Sequence, residues 1–270
     1  MRQITVATVQ MAPKPTEVEA NLERMGKWVE EICRDQKVDL IVFPELVTTG
    51  YECGVRFADL AEWVPGHIVG YMAKRASDFR VHLAFGLAEK QKVESIIYDS
   101  LVLIDSNGEL NTTYRKVHLR GEERLSFRPG YRFVTSQTEF GAVGLLLGWD
   151  LAFPESARCL TLEGAELLCV CASWERPHTA GWRHFLHARA MENAVFVAAA
   201  NRVGEEYTYR FFGSSMIVGP GGEVLHAQDE DVEGYGLATF DLDEVRRQRE
   251  DSQWLQIRQP RSYREIVRMY

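Results

Sequence analysis

The sequence predicts an α/β fold in which two mixed β-sheets pack face to face, with helices outside. Apolar strand patterns alternate with helical patterns in both halves of the 270-residue chain, and an antiparallel hairpin follows the alternation in each half. The alternation is typical of parallel strands joined by crossover helices, and the hairpins add antiparallel strands. Two similar halves therefore indicate two sheets.

The first half opens with a β-α-β pattern. Residues 4–10 alternate apolar with polar or small side chains, and a second apolar strand is predicted over residues 38–43. Between them, Thr16 and Glu19 have the spacing of a capping box, and apolar residues then recur along one helix face: Val18, Leu22, Met25, Val29 and Ile32. A helix over 67–78, a strand over 81–87 and a hairpin of 95–104 with 109–116 around Asn107-Gly108 complete this half.

The second half follows a polar segment, residues 121–130, which we expect to be a surface loop over a pocket. A buried strand over 143–147 ends at Gly148, and Pro154 suits the first turn of the next helix. Strands are predicted over 166–172 and 195–201, with a helix over 182–193 between them. A hairpin of 214–218 with 223–226, a strand over 235–241 and a charged helix over 243–250 follow.

Composition excludes several classes of function. The net charge is −8, and no block of Lys and Arg of the kind that tracks phosphates is present, so we expect no nucleic-acid partner. The N-terminus enters a strand pattern directly, and no apolar run approaches the roughly 18 residues of a membrane span, so we expect a cytoplasmic protein without a membrane partner. The five cysteines are scattered without paired C-x-x-C spacing, which favours reduced thiols and predicts neither a metal site nor a cofactor.

Three predicted strand ends carry candidate chemistry. Glu45 follows the strand over 38–43, Lys116 ends the first hairpin, and Gly148 occupies the turn between the central strand and its helix. A carboxylate, an ammonium and a thiol that converge form an acyl-transfer site, because the base activates the thiol and the ammonium stabilises the oxyanion. Spacing alone does not establish this arrangement.

These segments resemble the nitrilase superfamily of carbon-nitrogen hydrolases. The similar segments that hold its Glu-Lys-Cys site are Phe43-Pro44-Glu45, Tyr114-Arg115-Lys116-Val117-His118 and the strand before Asp150-Leu151-Ala152-Phe153-Pro154-Glu155. The resemblance covers nearly the whole chain and implies a nitrilase-like, four-layer αββα sandwich. It implies one carbon-nitrogen hydrolase domain over residues 1–270, with a tail from about residue 250 that docks on a partner subunit.

The resemblance also implies roles for individual residues. Glu45 matches the general base and acid, and Lys116 matches the ammonium that stabilises the oxyanion. Glu123 falls where the family often has a second glutamate, with Glu122 as the competing assignment. Trp149 is expected to give its backbone N–H to the oxyanion hole.

Gly148 departs from the family pattern, because it stands where the family has its cysteine nucleophile. Glycine has no side chain to carry an acyl group, so we expect covalent catalysis to be lost. We do not expect a replacement nucleophile from Cys169, Cys171, Cys159 or Ser156, which suit core or helix positions. Weaker candidates for substrate binding lie in loops near the strand ends: Tyr51, Glu52, Trp174, His178 and Phe212.

Two classes of function remain open. In the first, the chain is an amidase that hydrolyses a small linear amide to a carboxylic acid and ammonia, and its nucleophile was removed by design so that a substrate complex survives. In the second, it is a natural pseudoenzyme that binds a small amide or a protein. Retention of Glu45 and Lys116 favours the first. Nitrilase and N-carbamoyl amidohydrolase activities are further alternatives to the amidase, and we expect a homodimer or higher homo-oligomer.

Overall fold

The computed structural model describes residues 1–93 and 96–268. In this part of the chain the strands are β1 (Gln3–Gln10), β2 (Leu40–Val42), β3 (His82–Lys90), β4 (Ile97–Ile104), β5 (Leu110–Arg115), β6 (Val134–Gln137), β7 (Ala142–Leu147), β8 (Leu167–Ala172), β9 (Phe196–Asn201), β10 (Val203–Glu205), β11 (Arg210–Phe212), β12 (Met216–Val218), β13 (Val224–Ala227) and β14 (Gly234–Asp241). The α-helices are α1 (Val18–Arg34), α2 (Phe57–Leu60), α3 (His67–Phe79), α4 (Glu123–Ser126), α5 (Pro154–Leu162), α6 (Thr179–Asn193) and α7 (Glu244–Ser252). Ser95, at the start of one predicted strand, and Tyr270, at the end of the predicted tail, lie outside the described residues.

Two six-stranded sheets form the centre of the fold. Their strand orders are β14-β1-β2-β3-β4-β5 and β13-β12-β9-β8-β7-β6. In each sheet three adjacent strands are parallel, β1-β2-β3 in one and β7-β8-β9 in the other. The flanking strands are antiparallel. The prediction of two mixed sheets is therefore confirmed.

Side chains of the central strands divide between two layers of core. On β8, Leu167, Cys169 and Cys171 enter the core between the sheets, and the alternate residues pack in the helical layer. A strand covered on both faces has to be apolar along its length, which explains the continuous apolar run. Helices α1 and α3 cover the first sheet, and α5 and α6 cover the second. The layers run αββα, as predicted.

The start of helix α1 differs from the prediction. Thr16 does not cap the helix: it has a φ of +67°, and its N–H donates to the Thr49 carbonyl oxygen over 2.7 Å. The N-cap is Glu17, without a side-chain capping bond. The predicted apolar face is nevertheless buried, since Leu22 and Met25 lie in the core. A contact with the loop after Glu45 therefore overrides the local capping pattern.

Other elements were not predicted. The segment over 121–130 contains the short helix α4, and β10 and β11 form a separate two-stranded ribbon. Strand β6 pairs with β7 at the edge of the second sheet. Among the residues that the structure describes, none of the helices has both the length and the hydropathy needed to cross a membrane.

Candidate active site

Glu45 lies just beyond the carboxyl end of β2 and is held from two sides. Its carboxylate is buried, and it accepts one hydrogen bond from Lys116 Nζ at 2.6 Å and another from the backbone N–H of Ser173 at 2.8 Å. Its backbone passes close to Gly86 on β3, where a Cβ atom would lie 2.6 Å from the Glu45 Cα. The absence of a side chain at position 86 therefore provides the space that the Glu45 backbone occupies.

Lys116 follows β5 and is buried, with three carboxyl groups around its ammonium. Its ammonium lies 2.6 Å from Glu45 Oε1, 2.6 Å from Glu123 Oε1 and 3.7 Å from Asp99 Oδ2. Burial opposes the charge, but the carboxylates outweigh burial and raise the pKa of Lys116 well above its ordinary value. For Glu45 burial outweighs the attraction of Lys116, so the pKa of this carboxyl is raised. The site therefore contains a permanent cation beside a carboxyl that is suited to exchange protons.

The structure places Glu123, and not Glu122, against Lys116. Glu123 is buried in the first turn of α4, and it accepts hydrogen bonds from the Tyr51 hydroxyl at 2.6 Å and from the backbone N–H of Arg120 at 2.9 Å. Glu122 precedes the helix and is exposed. The side chain of Tyr51 thus reaches the site through Glu123.

Gly148 lies at the point where Glu45 and Lys116 meet. It follows β7 with a φ of +37°, in the left-handed region that favours glycine. A Cβ atom built on it would lie 2.8 Å from each carboxylate oxygen of Glu45 and 3.0 Å from Lys116 Nζ. These distances are shorter than ordinary Cβ contacts, so any side chain at position 148 would lie against both the carboxylate and the ammonium and would displace them slightly.

Asp150 ties this turn to the strand end that carries Lys116. It is fully buried, and Oδ2 accepts from the Tyr114 hydroxyl at 2.6 Å and the Leu147 N–H at 3.3 Å. Its Oδ1 accepts the His118 N–H at 3.0 Å. The sequence analysis gave Asp150 no role, although a charged residue between Trp149 and Leu151 in an apolar run is an unusual pattern.

The surroundings of Trp149 consist of aromatic and charged side chains. The Trp149 and Trp174 rings stack at 4.1 Å, and the Arg120 guanidinium lies 4.0 Å from the centre of the Trp149 ring. Arg120 pairs with the buried carboxylate of Glu175 and lies 3.0 Å from His178 Nε2. This cluster links the segment after Lys116 to the loop after β8.

The remaining predicted binding residues have different surroundings. Tyr51 and Glu52 line a cavity of about 450 Å³ together with Glu123. The Glu52 carboxylate already accepts hydrogen bonds within the chain, from the backbone N–H groups of Thr208 and Tyr209 at 2.8 and 3.1 Å. Phe212 is buried in the core between the second sheet and its helices.

The side chains considered as replacement nucleophiles lie on β8 and α5. Cys169 and Cys171 are enclosed between the sheets, and burial raises the pKa of both thiols. Cys159 is an exposed free thiol on α5, and Ser156 is buried in the first turn of that helix. A buried thiol that keeps its proton is a poor nucleophile.

The chain is similar to known proteins along most of its length. The sequence profile described as carbon-nitrogen hydrolase matches residues 5–250. A probable nitrilase of Schizosaccharomyces pombe is 43% identical over 244 residues, which cover 89% of this chain and 90% of that protein. An (R)-stereoselective amidase of a Pseudomonas species is 33% identical over 254 residues, which cover 94% and 90% of the two chains.

Solved structures agree with this similarity. A carbon-nitrogen hydrolase from Helicobacter pylori G27 superposes with a TM-score of 0.93 at 27% identity and covers 99% of each chain. A double mutant of a Nesterenkonia amidase in complex with acrylamide, in which a glutamate is replaced by glutamine and a cysteine by alanine, has a TM-score of 0.88 at 25% identity over 99% of this chain and 98% of that one. Another structure of that amidase shows covalent addition of the acetamide moiety of fluoroacetamide at the active-site cysteine.

Proposed function

The chain belongs to the carbon-nitrogen hydrolase family of the nitrilase superfamily, and on that premise we propose that its site is that of an amidase for a small linear amide. The observation that carries the proposal is the position of Gly148, whose Cβ would touch both Glu45 and Lys116. A thiol at this point would have a base and a cation within reach. The products of the proposed reaction are a carboxylic acid and ammonia.

The proposed chemistry requires a cysteine at position 148. Glu45 accepts the thiol proton, and the thiolate attacks the amide carbon. Lys116 and the backbone N–H of Trp149 stabilise the oxyanion, and Glu45 returns the proton to the departing ammonia. Glu45 then activates the water that hydrolyses the thioester, while Glu123 holds Lys116 in place.

This chain, with glycine at position 148, is proposed to bind an amide without hydrolysing it. Tyr51 and His178 are proposed to contact the amide substituent. Trp174 is proposed to support Trp149 by stacking against its ring. Glu52 is proposed to act indirectly, by accepting hydrogen bonds from the turn between β10 and β11. Phe212 is also proposed to act indirectly, by packing in the core between the second sheet and its helices. The alternative, a natural pseudoenzyme, is favoured by the φ of +37° at Gly148, which suits glycine. The native codon at position 148 discriminates between a removed nucleophile and a natural glycine.

We expect the Gly148 form to bind the intact amide that its Gly148→Cys variant hydrolyses best. The Lys116 ammonium has three N–H groups, of which Glu45 and Glu123 accept two, so the third is able to donate to the carbonyl oxygen. Isothermal calorimetry should show saturable heat without release of ammonia. The alkylamine of the same length, which lacks the carbonyl oxygen, should bind at least about 10-fold more weakly. A flat titration with the amide contradicts this proposal.

We also propose that two copies of the chain associate through α5 and α6, with the tail after residue 250 adding to the contact. Apolar side chains on this face are exposed, including Leu162 at 52% and Met191 at 42%. Light scattering at micromolar concentration should therefore give at least a dimer. Leu162→Asp should shift it toward monomer, whereas Val55→Asp, at an exposed apolar position outside these helices, should not. A monomeric unmodified chain contradicts the proposal.

A further inference from the structure

Asp99 is a buried carboxyl group in the site to which the sequence analysis gave no role. It lies on β4 with no exposed surface, and its carbonyl oxygen accepts the Lys116 N–H at 2.9 Å. One of its carboxyl oxygens lies within 4.8 Å of a carboxyl oxygen of Glu45 and of one of Glu123. Three carboxyl groups therefore surround one buried ammonium.

The hydrogen bonds within this cluster are distributed unevenly. Glu45 accepts from Lys116 and from Ser173, and Glu123 accepts from Lys116, Tyr51 and Arg120. Among the residues that the structure describes, neither carboxyl oxygen of Asp99 has a hydrogen-bond partner. Its distance of 3.7 Å from Lys116 Nζ is too long for a hydrogen bond.

The excess of negative charge in the cluster favours a bound proton, which halves that excess. Three ionised carboxylates and one ammonium would leave two uncompensated negative charges in the interior, which is strongly unfavourable. The other titratable groups that face Asp99 do not change this balance, because burial raises the pKa of both Tyr114 and Cys171 and keeps them neutral. The proton belongs on the carboxyl group that receives no hydrogen bond.

We propose that Asp99 is a positioning residue that keeps its proton and donates it in a hydrogen bond to Glu45. A protonated carboxyl has one O–H donor, which satisfies the otherwise unpartnered group and holds Glu45 as an anion beside position 148. Burial, followed by the charge of Glu45, raises the pKa of Asp99 well above its ordinary value. Burial also raises the pKa of Glu45, and a hydrogen bond from Asp99 offsets part of that rise. The role toward Glu45 rests on the proposed function, but the protonation of Asp99 does not.

The pH dependence of stability tests the proton without any need for activity. A carboxyl whose pKa is raised by folding costs stability increasingly as the pH rises above the ordinary value. Asp99→Asn keeps a donor and removes the titration. This variant should melt at least about 2 degrees above the unmodified chain near pH 8, and the gain should shrink toward zero near pH 4. Asp150→Asn is the matched control, because Asp150 is equally buried but accepts several hydrogen bonds, so this variant should melt lower. A lower melting temperature for Asp99→Asn at high pH, or a pH-independent difference, overturns the proposal.

The link to Glu45 is tested in the Gly148→Cys background. Asp99→Leu removes the donor, so the acid limb of the kcat/KM profile should move to higher pH by about one unit, while Asp99→Asn should restore its position. A profile that both variants leave unchanged overturns the positioning role. If the Gly148→Cys form is inactive, the proposed function fails on its own, and the melting experiment still decides whether Asp99 carries the proton.

Discussion

Gly148→Cys is expected to release ammonia from a small amide at a rate on the order of 10⁴- to 10⁶-fold above that of the Gly148 form. The new thiol would contact Glu45 and Lys116, since the Cβ position lies 2.8 Å from the carboxylate oxygens and 3.0 Å from Nζ. The proposed base and the proposed oxyanion-stabilising cation are then already in place. The measurement is ammonia release from a panel of aliphatic and ω-amino amides, with nitriles and N-carbamoyl amines alongside.

Gly148→Ala provides the matched control for this gain. It adds a Cβ atom at the same position without a thiol, so it should release no ammonia above the Gly148 form. Faster turnover of nitriles or N-carbamoyl amines than of amides would move the proposed function to the corresponding branch of the family. A folded Gly148→Cys protein that is inactive on the whole panel would favour a natural pseudoenzyme.

Both substitutions should cost a similar amount of stability. A side-chain-bearing residue at a φ of +37° is strained by about 1–3 kcal/mol, and the lost flexibility of the unfolded chain returns about 0.4–1 kcal/mol. We therefore expect the Ala and Cys forms to melt a few degrees lower than the Gly148 form. A large difference between Ala and Cys would show that the thiol itself disturbs the charged cluster.

Lys116→Met should produce the largest loss of stability, about 3–5 kcal/mol near pH 8. Methionine has a similar length, but it leaves the carboxyl groups of Glu45, Glu123 and Asp99 buried without a cation. The pKa values of Glu45 and Asp99 in the folded protein then rise further. A carboxyl group whose pKa is raised by folding reduces the stability of the protein as the pH increases. The loss should therefore be greatest at alkaline pH and shrink toward pH 5. Urea unfolding across this pH range measures it.

Lys74→Met is the control for the loss of a lysine charge. Lys74 is exposed on α3 and pairs with Asp78 one turn later, and such surface pairs contribute at most about 0.5 kcal/mol. This variant should unfold almost as the unmodified chain does at every pH. If the destabilisation by Lys116→Met were the same at pH 5 and pH 8, lost packing and not uncompensated charge would be its cause.

The turn at Gly148 keeps its position because Asp150 connects it to the strand end carrying Lys116. The Asp150 carboxylate joins Leu147, Tyr114 and His118, so the end of β7 and the end of β5 are linked across the two sheets. The hydrogen bonds of Asp150 thus hold position 148 against Lys116 without any contribution from a side chain at position 148. This explains how the site geometry persists in a chain that has only glycine at this point.

Much of the fold was predictable because its strands and turns follow local sequence patterns. The apolar runs of β7, β8 and β9 mark strands covered on both faces, and the turn at Asn107-Gly108 marks a hairpin that the structure contains. The pairing of β14 with β1 was not predictable from spacing, since it joins the two ends of the fold, for example Gln3 with Asp241. Thr16 shows the limit in the other direction, because a contact with Thr49 replaced its local capping pattern.

The sequence by itself determined which residues stand at the strand ends, Glu45, Lys116 and Gly148, and the resemblance of their motifs indicated the family. Only the tertiary structure decided that these three meet, that Glu123 and not Glu122 faces Lys116, and that Asp99 joins them. Periodicity and motif spacing report the face of an element on which a residue lies. Distances between strand ends, burial and the number of charges that share one enclosed space arise when the two sheets close together, and these set the electrostatics of the site.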